Sequence, residues 1–319
     1  MNICRRFRQK RVYKNALDKR RGRITSDTLE MIDGLIDAFG DQIPYLHDFR
    51  TELVPLVRKT ARYLNTLLNS IPGPVALDPD RWDRDPLVHS ICVSEKRTAE
   101  LIADSTPLQR FFRRSQAQVA FALLTAEKRE KTVTGTEKNG EIIRRDVLQK
   151  AVFFEEHQIR WPTEALEKTR RQVQQLLLSE LFALAAEKIS DLKEWRSELA
   201  LQHDEITAKM SFYKDSPEHE KIDDLHDAIE GKIKEIGSTL DSPEDYKSHL
   251  QEFLQNPQHY LTAKSVYLRL SPMGILLSNS STEKANAFPL AEFKSASGKK
   301  WVATWISVPG EVAARNPRT

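Results

Sequence analysis

The chain has 319 residues, of which 39% are apolar and 30% charged, and its formal net charge is +3. That length suggests two domains, and that balance fits elongated helices better than one compact globule. No run of roughly eighteen apolar residues occurs, so no membrane-spanning helix is expected. Cys4 and Cys92 stand far apart in unlike contexts and cannot build a disulfide framework or a thiolate metal site, so the expected location is cytoplasmic.

Charge is unevenly laid out. Residues 1–23 carry ten basic groups against Asp18 alone, a net of +9 that leaves −6 for the other 296 residues. The pattern predicts a flexible basic arm. Arg5, Arg6, Arg8, Lys10, Arg11, Arg20, Arg21 and Arg23 are its candidate polyanion-binding residues, suited to the phosphates of a nucleic acid. Phe7 and Tyr13 could stack on bases or lie among lipid headgroups. Peripheral membrane contact is the weaker reading, because Ile3, Phe7, Val12, Tyr13 and Leu17 do not form one stripe. The plain alternative is a solvated tail that aids solubility or docks on the acidic body. No apolar stretch follows Arg5-Arg6, so no export signal is expected.

Beyond the arm, residues 24–116 read as a helical N-terminal domain. Asp27-x-x-Glu30 has the form of a capping box before Leu29, Ile32, Leu35, Ile36 and Phe39. A second helix is expected from Pro44 to Asn69, kinked at Pro55. Prolines at 72, 74, 79 and 86 mark an irregular connector. Short helices should follow Ser94 and Thr106-Pro107, the latter with proline at its first position.

Strand character begins near Val119. Asn139-Gly140 predicts a type I′ hairpin turn, since both residues tolerate positive φ. It joins two arms of a long ribbon, with Val147, Ala151, Phe153, Ile159 and Trp161 on one face.

About fifty residues from Thr163 to Tyr213 contain neither glycine nor proline. Leu178, Phe182, Ala185, Ile189, Leu192, Arg196, Leu199, His203, Ile206, Met210 and Tyr213 recur in steps of four and three, the spacing of a coiled-coil seam. At 1.5 Å per residue such a helix would be roughly 75 Å long. After Ser216-Pro217, a return helix carries Ile222, Leu225, Ile229, Ile233, Ile236 and Leu240 at similar spacing, so the two are expected to pair antiparallel. Ser242-Pro243 restarts a shorter helix with Tyr246, Leu250, Phe253 and Leu254.

The tail returns to strands: Val266 to Leu270, Phe288 to Lys294 and Trp301 to Val308, with a turn at Ser271-Pro-Met-Gly274 and a hairpin at Ser295–Gly298. The expected fold class is therefore α+β and mainly helical. An antiparallel β platform (117–161 and 264–309) is interrupted by a protruding, coiled-coil-like helical hairpin (162–257), and a tail at 310–319, frayed from Ala313 on, ends the chain. A helical hairpin returns the chain to where it left, which lets the early and late strands share one sheet.

Chemistry is sparse by comparison. No Walker loop, dinucleotide fingerprint, H-E-x-x-H, nucleophile elbow or C-x-x-C occurs. Asp78, Asp80, Asp83 and Asp85 approach a calcium loop, but Trp82, Arg84 and His89 stand where ligands belong. His219, Asp223, His226, Asp227 and Glu230 read as a solvated acidic face, because histidines two turns apart do not share one ion unaided. No catalytic, cofactor-binding or metal residue is assigned, and no cofactor.

The expected function is that of a non-catalytic scaffold or adaptor that offers the hairpin to a protein partner. Met210, Phe212, Tyr213 and Lys214 at the tip are the candidate partner-binding residues. The alternatives are a nucleic-acid accessory factor that uses the arm, and an enzyme whose site is scattered through the chain.

Overall fold

A computed structural model describes residues 31–34, 49–139, 142–212, 219–240, 243–278 and 281–314. The basic arm, most of the first expected helix and the Gly140 turn lie outside these residues. The chain divides into two compact units, Met1–Arg62 with Leu176–Pro257 and Tyr63–Gln175 with Gln258–Thr319.

The elements run in the order α1 (Phe49–Asn69), β1 (Val75–Ala76), α2 (Pro86–Ile91), α3 (Glu95–Asp104), α4 (Thr106–Arg114), β2 (Val119–Asn139) and β3 (Ile142–Thr163). There follow α5 (Leu166–Phe212), α6 (His219–Leu240), α7 (Pro243–Gln255), β4 (Leu261–Leu270), β5 (Asn286–Ser295), β6 (Lys300–Pro309) and α8 (Gly310–Ala314).

In the second unit five of the six described strands pair antiparallel in one curled sheet, in the order β3-β2-β6-β5-β4. The early ribbon meets the late hairpin through β2 and β6, paired from Val119 opposite Pro309 to Ala126 opposite Val302. The two-residue β1 runs parallel to β6 where β5 has diverged from it.

The ribbon is not of one parity along its length. Its register slips at three places, and each slip carries a residue with positive φ: Asp146 (58°), Glu156 (51°) and Trp161 (54°). Each bulge inserts one extra residue in β3 and so flips the faces beyond it. Val152 and Phe154 are therefore buried while Phe153 is exposed, which corrects the single face expected from Val147 to Trp161. The last described pair of the ribbon is Asn139 opposite Ile142.

The sheet's two outer strands are joined by Ser271–Leu277. Val152 N–H donates to Gly274 O and Leu276 N–H to Lys150 O, both at 2.8 Å, on the β3 side; on the β4 side Leu277 N–H donates to Arg269 O, also at 2.8 Å. Gly274 has φ +79°, and an added Cβ would lie 2.9 Å from Val152 O, so this strap needs glycine.

One face of the sheet contributes Ala120, Ala122, Leu124, Val302, Ile306 and Leu290 to a core closed by Leu87, Ile91, Ile102 and Leu108 of α2 to α4 and by Val312 and Ala313 of α8. Val312 and Ala313 are thus built into the core, although 310–319 was expected to be a tail, frayed from Ala313 on. α2 had not been foreseen either. Asp85 N-caps it, accepting from Leu87 N–H at 2.8 Å and Val88 N–H at 3.1 Å, with Pro86 at its start. On the other face, Leu123 lies opposite Trp305 and Ala291 opposite Ala303, all buried. Tyr63 Oη donates to Leu261 O at 2.7 Å, and Thr169 Oγ1 to Phe121 O at 2.9 Å, bringing the end of α1 and the start of α5 onto the strands.

The first unit is helical. Leu53, Val57 and Thr60 of α1, Leu178, Phe182 and Ile189 of α5, and Leu250 and Leu254 of α7 are buried in it. Thr60 Oγ1 donates to Leu254 O at 2.8 Å, which ties α1 to the end of α7.

Candidate functional site

The α5–α6 pair is where the helical unit leaves side chains uncommitted. Leu199 and Ile206 of α5 and Ile229 of α6 form a buried cluster, with Met210, Ile222 and Ile233 packed against it. The seam therefore pairs within one chain. On α5 the four-three spacing holds from Leu178 to Met210, every member being buried or half-buried. On α6 it holds from Ile222 to Ile233 with one exchange: Leu225 is 51% exposed, and His226 takes the seam position instead, while the side chains of Ile236 and Leu240 lie outside the described residues. Spacings of 222-225-229 and 222-226-229 both fit a heptad, so periodicity alone does not choose between them.

The exchange brings two imidazoles together. His203 and His226 face each other across the seam with ring centroids 4.7 Å apart and planes tilted by 40°. Each is followed by an aspartate, with His203 Nδ1 3.7 Å from Asp204 Oδ1 and His226 Nδ1 3.6 Å from Asp227 Oδ1. Glu230, one turn beyond His226, takes a 2.8 Å ion pair from Lys234. That hydrogen bond and the ammonium charge hold the Glu230 carboxyl below its usual pKa, with smaller contributions from both imidazoles. One ligand atom each from His226, Asp227 and Glu230 lie within 4.8 Å of one another. The expectation of a merely solvated face therefore misplaced His226, while Asp223 and Asp227 are indeed exposed. The available signal was the His-Asp pair repeated on two helices that must meet.

The tip residues divide. Met210 is half-buried against the seam cluster rather than left uncovered. Phe212 is the last residue of α5, and Tyr213 and Lys214 lie outside the described residues. Arg5, Arg6, Arg8, Lys10, Arg11, Arg20, Arg21 and Arg23 lie outside them too. Large apolar groups on the hairpin are exposed elsewhere, with Trp195 at 48% and Leu201 at 68% on α5, besides Leu225 on α6.

The aspartate run has a structural job. Asp78 accepts from Asp80 N–H and meets Arg81 at 3.7 Å, while Asp85 caps α2. Trp82 donates its indole N–H to Cys92 O and stacks on His89 at 4.5 Å. Burial pushes the Cys92 thiol up to about 11, against a hydrogen bond from Thr98 and the Arg97 charge, so at neutral pH it stays protonated and unreactive. In the strand unit the Arg170 guanidinium lies 5.8 Å over the Trp305 ring, and neither Arg170 Nε nor Trp305 Nε1 has a hydrogen-bond partner.

No described helix is long and apolar enough to cross a membrane. No protein-family model, curated protein or solved structure matches the chain.

Proposed function

We propose that the chain is a non-catalytic cytoplasmic interaction protein whose α5–α6 hairpin presents apolar side chains to a protein partner. The observation that supports this reading is the contrast between the seam, which covers Leu199, Ile206 and Ile229, and the same two helices' exposed Trp195, Leu201 and Leu225. Exposed tryptophan and leucine contribute nothing to a solvated rod, whereas a partner surface that desolvates them gains roughly 1.5–3 kcal/mol for each one fully buried. The chemistry sought in the partner is an apolar helix face, which packs on a helical hairpin ridge into groove.

A photo-crosslinking residue at position 201, installed in the full chain in its native cell, should form a discrete adduct. The same residue at buried position 199 should not. Equal yields at both positions, or none at either, would remove the reading, and an adduct of twice the chain's own mass would identify the partner as a second copy.

A further inference from the structure

We propose that His203, His226 and Glu230 form a binding site for one divalent transition-metal ion, Zn2+ being the best match, which clamps α5 to α6. Three features of the hairpin carry this, independently of the partner reading above.

The first is position. His203 and His226 come from different helices, face each other at a 4.7 Å centroid separation and sit half-buried between the apolar residues Leu199, Ile206 and Ile229. Two imidazoles facing each other in a seam place nitrogen lone pairs where leucine would pack better, unless something occupies them.

The second is orientation. Each ring turns Nδ1 toward the carboxylate of the next residue, at 3.7 Å for His203–Asp204 and 3.6 Å for His226–Asp227. At 3.6–3.7 Å these are charge contacts longer than a hydrogen bond. A carboxylate on the Nδ1 side nevertheless favours the proton there and leaves Nε2 to bind a metal, the sense in which outer-shell carboxylates orient zinc-bound histidine.

The third is a third ligand. Glu230 is four residues after His226 and so on the same helix face. One ligand atom each of His226, Asp227 and Glu230 lies within 4.8 Å of the others, His203 adjoining this group through its contact with the His226 ring. Zn2+ takes nitrogen at ~2.0–2.1 Å and carboxylate oxygen at ~2.0–2.2 Å in a tetrahedron, so ligand atoms must close to roughly 3.5 Å. Side-chain rotation on metal binding must close these gaps and bring His203 Nε2 to the ion, with Lys234 released from Glu230. Two nitrogens and one oxygen suit Zn2+ rather than Mg2+ or Ca2+, and a water would complete the tetrahedron. Asp204, Asp227 and Glu230 set three negative charges around the site against Lys234, which favours a dication.

The test uses the full chain without an affinity tag, stripped with a chelator. Co2+ should give the visible absorption of a tetrahedral site that saturates at one ion per chain, and Zn2+ should displace it. Zn2+ should also raise the melting temperature. Asp227→Asn should weaken binding by ~10–100-fold, as loss of an outer-shell carboxylate does. The double variant His203→Leu, His226→Leu restores an apolar seam, so it should fold and should lose both the Co2+ spectrum and the Zn2+-induced shift. An unchanged shift in that variant, or no saturable ion in the wild type, would overturn the proposal.

Discussion

The strand unit covers its apolar residues from two sides, whereas the α5–α6 hairpin covers its own along one line. In the sheet, Leu124 and Ile306 face the helices α2 to α4, while Leu123 and Trp305, their sequence neighbours, are buried on the opposite face. Three bulges and the Gly274 strap hold that arrangement in one register. In the hairpin, the seam cluster among the described residues is Leu199, Ile206 and Ile229 with a few half-buried neighbours, and two histidines interrupt it. The difference teaches where each unit has side chains to spare. A sheet with both faces packed has its stability in the interior, and a helix pair joined by one seam keeps most of its circumference for other contacts.

If that contrast is sound, the largest loss should come from the twice-covered sheet. Trp305 is fully buried, so Trp305→Ala should cost about 3–5 kcal/mol in urea-induced unfolding of the full chain, through lost burial and the cavity left behind. Trp305→Phe should cost much less, because the indole N–H it removes has no partner to leave unsatisfied. Equal costs for the two would mean that the N–H is bonded after all and that the ring is not the main contributor.

The hairpin should respond more weakly and only locally. Ile229→Ala removes one of the buried seam residues and should cost about 2 kcal/mol, the low end for such truncations, since the half-exposed seam can partly close. Hydrogen exchange should quicken in α5 near Leu199 to Met210 and in α6, while amides of β2 and β6 keep their protection. Simultaneous loss of protection in the strands would show that the two units unfold as one and would break the comparison.

How far each unit could be read from its residues follows the same contrast. The α5 seam was legible because one periodicity runs unbroken from Leu178 to Met210 with no glycine or proline to interrupt it. The joining of early and late strands was legible from chain order alone. Three things were not. The bulges at Asp146, Glu156 and Trp161 carry no glycine, the usual mark of a left-handed position, so nothing announced the change of face. The helix α2 hid behind a proline that looked like a breaker and was instead an initiator after the Asp85 cap. His226 and Leu225 are adjacent, and choosing between them requires knowing which side of α6 meets α5. Candidate sites fared worse than fold for this reason: a seam needs only a period, while the His203–His226 pairing depends on a one-residue rotation.

The smallest effect tests whether the ribbon's inner half is held by polar contacts as well as by packing. His157 follows Glu156 at the second bulge, and its Nε2–H donates to Ile91 O, the last residue of α2, at 2.9 Å. Burial lowers its pKa, the hydrogen bond to Ile91 partly opposes this, and the Arg97 charge adds to the lowering. The folded chain therefore binds this proton less readily than the unfolded chain, and stability must rise with pH across the interval between the two pKa values. The contribution is complete above about 6.5, the unperturbed histidine value, and is lost as pH falls from there toward the folded-state pKa. Urea midpoints measured through that window should fall on acidification, by less than either substitution above costs. His157→Gln, which can still donate to Ile91, should flatten the slope. A slope that survives the substitution unchanged would move the proton uptake to another group and leave packing alone to hold β3 against α2.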